Sequence, residues 1–151
     1  MSGYPKGFLT GFLWLAVGLA VTGLLLIPNM LDLRLEIETA FQLDGGVRML
    51  VGAAHVAGAF LVLALVGSIW AVHMRRGWRA RQNRISGAVL TSLWVLLGLT
   101  GVGVIYLGDP DAGLVVSAAH TVIGLVIVLA LPFHILMGWA TTSRSRPDRP
   151  L

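Results

Sequence analysis

The sequence contains no cysteine. Disulfides, thiolate metal sites, iron-sulfur clusters and covalent haem attachment through C-x-x-C-H are therefore excluded within this chain. Charge is scarce as well: 12% of the 151 residues are charged against 56% hydrophobic, and the mean hydropathy is +0.84. That balance rules out an ordinary soluble domain. Only seven residues are acidic, and none lies in the long apolar runs, so a carboxylate-based site at membrane depth has no residues to build it. The net charge of +4 is not arranged as a basic face on a soluble surface, which sets nucleic acid aside as a partner. Histidine is also rare, with four copies, and their placement is informative.

Apolar length is what the chain has in abundance. Residues 8–27, 49–72, 85–107 and 114–139 each reach the ~20 residues needed to cross a hydrocarbon layer ~30 Å thick. The first run follows Lys6 but exceeds the h-region of a signal peptide and lacks an A-x-A-like exit, so it reads as a retained span. Pro28 is expected to end it at the membrane exit, because proline cannot donate to the helical ladder. In the connection over 29–48, Leu31, Leu33, Leu35 and Ile37 alternate as in a strand, while Leu33, Ile37 and Phe41 fit a helix face; both readings stand. Residues 108–113 read as a short acidic turn, and 141–151 as a disordered tail. The expected fold is all-α, a single-domain integral membrane up-and-down four-helix bundle.

Four crossings put Lys6, the arginines at 75, 76, 79, 81 and 84, and the tail arginines at 144, 146 and 149 on one side. These are nine of the eleven basic residues. Opposite lie Arg34 and Arg48 with six of the seven acids. The positive-inside bias makes the arginine side cytoplasmic, with both termini there, and the bacterial inner membrane is the expected location. Trp14, Trp70, Trp78 and Trp139 fall near that boundary as an interfacial belt, whereas Trp94 sits deeper, as a core residue would.

His55 and His73 bracket the second run, 18 positions apart. In an α-helix that is five whole turns, which puts both imidazoles on one face roughly 27 Å apart. His120 and His134 in the fourth run are 14 positions apart, within about 40° of one face and about 21 Å apart. A lone intramembrane histidine is readily explained as interhelical glue, but four in phase on two co-directional helices call for a site. They make two facing pairs at two depths, His55 with His120 and His73 with His134, between which a planar macrocycle fits. The unequal spacings differ by about 6 Å of rise, to be absorbed by tilt and by a bend at Pro132. Gly52, Gly58, Gly67, Gly98, Gly101, Gly124 and Gly138 lie where backbone can approach a flat ligand, with packing between helices as the plainer explanation. Arg48, Arg75 and Arg76 are candidates to pair with haem propionates. Ser117 and Thr121 are the hydroxyls nearest His120 on its own helix, and His134 has none within a turn.

From about residue 48 to residue 139 the chain resembles the small di-haem cytochromes b of bacterial membranes, related in plan to the cytochrome b subunits of hydrogenases and formate dehydrogenases. The resemblance rests on the His55-to-His73 helix followed by Arg75-Arg76-Gly77-Trp78-Arg79, on Asn83-Arg84-Ile85-Ser86-Gly87, on Thr100-Gly101 with Tyr106-Leu107-Gly108-Asp109, on Ser117 to His120, and on His134 to Gly138. It implies two non-covalent b-type haems with bis-histidine ligation, transmembrane electron transfer and exchange with quinone.

No stretch outside the membrane is long enough for a flavin, nicotinamide or substrate domain. The expectation is a non-catalytic electron-transfer subunit of an oxidoreductase complex, in contact with lipid and with redox partner subunits. Two other classes compete: a metal-ion or proton transporter with a histidine relay, and a haem-free membrane anchor.

Overall fold

The structure is a computed structural model that describes residues 6–81 and 83–144, with side chains for all of these but 71, 72 and 139–144. Four long helices dominate it: α1 (Phe8–Leu35), α2 (Gly45–Ile69), α4 (Arg84–Tyr106) and α5 (Pro110–Arg144). A π-helix over Trp70–Met74 extends α2 and leads into the short α3 (Arg75–Arg79). Within the long helices, Phe8–Leu35, Gly45–Ile69, Arg84–Tyr106 and Pro110–Gly138 are long and apolar enough to cross a membrane. No strand occurs among the described residues. The fold is an all-α up-and-down bundle: α1 packs on α2 and α5, α4 packs on α5 and α2, and α2 faces α5 across the diagonal.

The core is small and central. Val62, the most buried, packs with Phe12, Leu19, Trp94 and Ile127, so Trp94 fills the interior as its position along the run suggested. The outer faces remain apolar, with Phe60, Leu99 and Leu129 each well over half exposed, which is the surface that lipid covers.

Several boundaries differ from those read along the chain. α1 does not stop at Pro28 but carries it inside the helix and ends seven residues later. Glu36 adopts the left-handed conformation there, and the Glu36 and Ile37 N–H groups close on Asp32 O and Leu31 O at 3.1 and 3.2 Å. Both open readings for 29–48 thus give way to the end of α1, an irregular stretch over 36–44 and the start of α2. The irregular part is held by Asn29, whose buried side-chain amide donates to Leu43 O at 3.0 Å and accepts from Leu43 N at 3.1 Å. Asp44 then caps α2 by accepting from Val47 N at 2.9 Å.

The acidic turn is likewise shorter than expected. Asp109 accepts from Ala112 N at 2.8 Å, and Pro110 opens α5 at the first helical position, where its missing N–H costs nothing. At its other end α5 runs on to Arg144, into the segment expected to be disordered; residues 145–151 lie outside the described residues. The arginine-rich link is partly helical. Arg84 folds back over it, its Nε donating to Trp78 O at 2.9 Å and its guanidinium standing 5.2 Å from the Trp78 ring centroid.

Candidate functional site: two histidine pairs

Across the diagonal, α2 and α5 bring the four histidines together in two pairs. His55 faces His120 with ring centroids 6.2 Å apart and ring planes at 77°. His73 faces His134 at 6.3 Å and 81°. The pairs sit at opposite ends of the bundle with the Val62 core between them.

That spacing has a chemical meaning. A metal-to-imidazole bond is about 2.0 Å and a ring nitrogen lies about 1.1 Å from the ring centroid, so two imidazoles in line on one metal have centroids about 6.2 Å apart. Both pairs match it, whereas imidazoles joined by a direct N–H···N hydrogen bond of about 2.9 Å would stand about 1 Å closer. Each pair supplies two nitrogen donors. Among the described residues no group of three or more His, Asp or Glu side chains assembles, so neither pair is a complete protein-only metal site. Two imidazoles alone leave most of a metal's coordination positions to be filled from outside the chain.

Hydroxyls on neighbouring helices hold three of the rings. Thr22 Oγ1 on α1 lies 2.9 Å from His55 Nδ1, Thr100 Oγ1 on α4 lies 3.1 Å from His120 Nδ1, and Ser86 Oγ on α4 lies 3.1 Å from His134 Nδ1. Sequence reasoning missed all three contacts because it searched along each histidine's own helix. Thr121 instead donates to Ser117 O at 2.9 Å. The signal that was available is the repeated hydroxyl-glycine dipeptide: Thr22-Gly23, Thr100-Gly101 and Ser86-Gly87.

His73 is the exception. It occupies the π-helix, is exposed where the other three are half-buried, and meets no hydroxyl among the described residues. Partial desolvation still holds its imidazole below the ordinary range, in the neutral form that can act as a ligand.

The other candidates divide. Gly101 does abut a histidine: a Cβ there would stand 3.2 Å from His120 Cε1. A Cβ at Gly58, Gly98 or Gly124 would instead meet Leu19, Leu63 or Leu97, and one at Gly138 would come near the Asn83 amide. Gly52 and Gly67 meet nothing within 4 Å. Gly23 and Gly87, which sequence reasoning did not single out, are the ones that abut His55 and His134. Arg48 is half-buried near the start of α2, and Arg75 and Arg76 are exposed at the start of α3, just past His73. No protein-family model, curated protein or solved structure matches the chain.

Proposed function

We propose that the chain is a membrane electron carrier with two non-covalent b-type haems, one held by His55 and His120 and one by His73 and His134. The observation that carries this reading is the repetition of one arrangement: two imidazole pairs on the same two helices, 6.2 and 6.3 Å between centroids, each at the separation of two ligands on one metal. A histidine relay for protons or bare metal ions would not call for this repeated spacing. A macrocycle would supply the metal ligands that the chain does not. When bound, haem supplies a one-electron couple.

The chain's own residues then have distinct tasks. His55, His73, His120 and His134 would hold the two metal centres. Leu19, Val62, Trp94 and Ile127 fill the space between the two tiers and exclude water there. Arg48 at one end, and Arg75 with Arg76 at the other, are the cations proposed to pair with propionates. Electrons would cross from one tier to the other and be exchanged at the two ends with a redox partner subunit and with quinone, the quinone resting on the family resemblance alone. In this reading the protein resides in a bacterial inner membrane with the arginine-rich end and both termini in the cytoplasm.

Pyridine haemochrome analysis of the purified chain tests the core of the reading and should give close to two haems b per chain. Absence of haem, or haem retained after all four histidines are replaced by alanine, refutes it. Because the chain has no cysteine, single cysteines introduced at Glu38 and Arg79 report orientation directly. An impermeant thiol reagent on intact cells should label the first and not the second.

A further inference from the structure

Three of the four histidines are held in one way, by two consecutive residues of a neighbouring helix. We infer that Thr22, Thr100 and Ser86 are positioning residues that fix His55, His120 and His134 as the Nδ1–H tautomer, and that the glycine following each hydroxyl makes room for the ring it holds. The roles as ligands rest on the function proposed above; the tautomers are a property of the polypeptide.

The hydroxyl protons decide the tautomer. Thr22 Oγ1 lies 3.0 Å from both Gly18 O and Leu19 O, Thr100 Oγ1 lies 2.8 and 3.1 Å from Leu96 O and Leu97 O, and Ser86 Oγ lies 3.2 Å from Asn83 O. Backbone carbonyls only accept, so the single hydroxyl proton goes to them, the usual back-bonding of Ser and Thr within a helix. What remains toward the imidazole is an oxygen lone pair. The ring nitrogen at 2.9 to 3.1 Å must then be the donor, Nδ1–H. Nε2 is left with its lone pair, the only neutral form in which that nitrogen can ligate a metal.

The glycines complete the device. A Cβ at Gly23 would stand 3.0 Å from His55 Cε1, one at Gly101 3.2 Å from His120 Cε1, and one at Gly87 3.8 Å from His134 Cε1. The first two are closer than a ring carbon tolerates without moving, so the ring can reach the hydroxyl because the next residue lacks a side chain. Register explains why α4 holds two rings. Ser86 and Thr100 are 14 residues apart, as are His120 and His134, and α4 runs antiparallel to α5, so Thr100-Gly101 meets His120 and Ser86-Gly87 meets His134. The dipeptide alone does not suffice: in Thr10-Gly11 on α1, the glycine meets nothing within 4 Å.

Nitrogen-15 NMR of histidine-labelled full-length chain in lipid bilayers, after haem extraction, reads the tautomers directly. Three imidazoles with protonated Nδ1 and bare Nε2 are expected. Thr100→Val should release His120 from that form, weaken haem retention at the His55 and His120 centre about 10- to 100-fold, and raise its midpoint potential, because a ligand without its Nδ1–H···O bond is less basic. Thr100→Ser should restore all three readouts, and Gly101→Ala should disturb the same centre alone. Predominant Nε2–H at the three rings, or a Thr100→Val protein with unchanged tautomer after extraction and unchanged potential when haem-loaded, would overturn the inference. Failure of the wild-type chain to bind haem would refute the function and leave the tautomer result to stand by itself.

Discussion

His73 stands opposite His134 with 6.3 Å between ring centroids, although 18 residues separate His73 from His55 and only 14 separate His134 from His120. The irregular turn that helps reconcile the two lengths is the π-helix over Trp70–Met74, which contains His73 itself. A π turn holds more residues for its rise than an α turn and changes the direction in which later side chains leave the axis. Pro132, from which a bend was expected, lies within the continuous α5. His73 therefore depends on a local backbone irregularity where the other three histidines depend on neighbouring hydroxyls.

The pairs should be separable. If two haems are bound as proposed, His120→Ala is expected to remove the one assigned to His55 and His120 and leave the other, and His73→Ala the reverse. Haem-to-protein ratios near one for each variant check this; loss of both haems from His120→Ala would mean that the pairing is wrong.

The two centres should also differ in potential. Both imidazoles of the first pair are held by threonine hydroxyls, whereas in the second, among the described residues, only His134 is held by one. A donated Nδ1–H bond raises ligand basicity and favours the ferric state, so the His55 and His120 centre should titrate lower. Spectroelectrochemical titration of the wild type should show two components, and His120→Ala should delete the lower one.

Ring orientation gives a third expectation. The planes within each pair cross at 77° and 81°. Near-perpendicular axial imidazoles leave the iron dπ orbitals almost degenerate, so both ferric low-spin centres should show a single strongly shifted low-field EPR feature. Two well-resolved rhombic spectra would indicate near-parallel rings instead.

Trp94→Ala tests the small core. Trp94 is 5% exposed and packs with Val62 and Ile127 between the two tiers. Truncation of a buried tryptophan costs about 3–5 kcal/mol in packing. Reversible unfolding in mixed micelles should show a loss of that order, with both histidine pairs weakened together because the core lies between them.

Asn29→Ala should act at one end only. It removes two hydrogen bonds to the Leu43 backbone and leaves that N–H and C=O without their partner, at a cost of about 1–3 kcal/mol. Hydrogen exchange at Leu43 and protease cleavage within residues 36–44 should rise, while the EPR signal of the His73 and His134 centre stays unchanged.

The number of spans and their order are legible from local information. Apolar length against bilayer thickness sets the spans, and the helical period fixes the shared face of His120 and His134, which lie on one helix. Pro28 and the 29–48 connection were not legible: whether a proline ends a helix, and which of two apolar periods prevails, depends on contacts such as the one from Asn29 to Leu43, 14 residues on. The π turn at His73 leaves no composition signal. The hydroxyl-glycine dipeptides are written plainly in the sequence, yet Thr10-Gly11 has the same letters as Thr22-Gly23 and packs on no ring. Residue chemistry and helical period are properties of the chain alone; which helix stands beside which histidine, and in what register, is decided only when the helices pack.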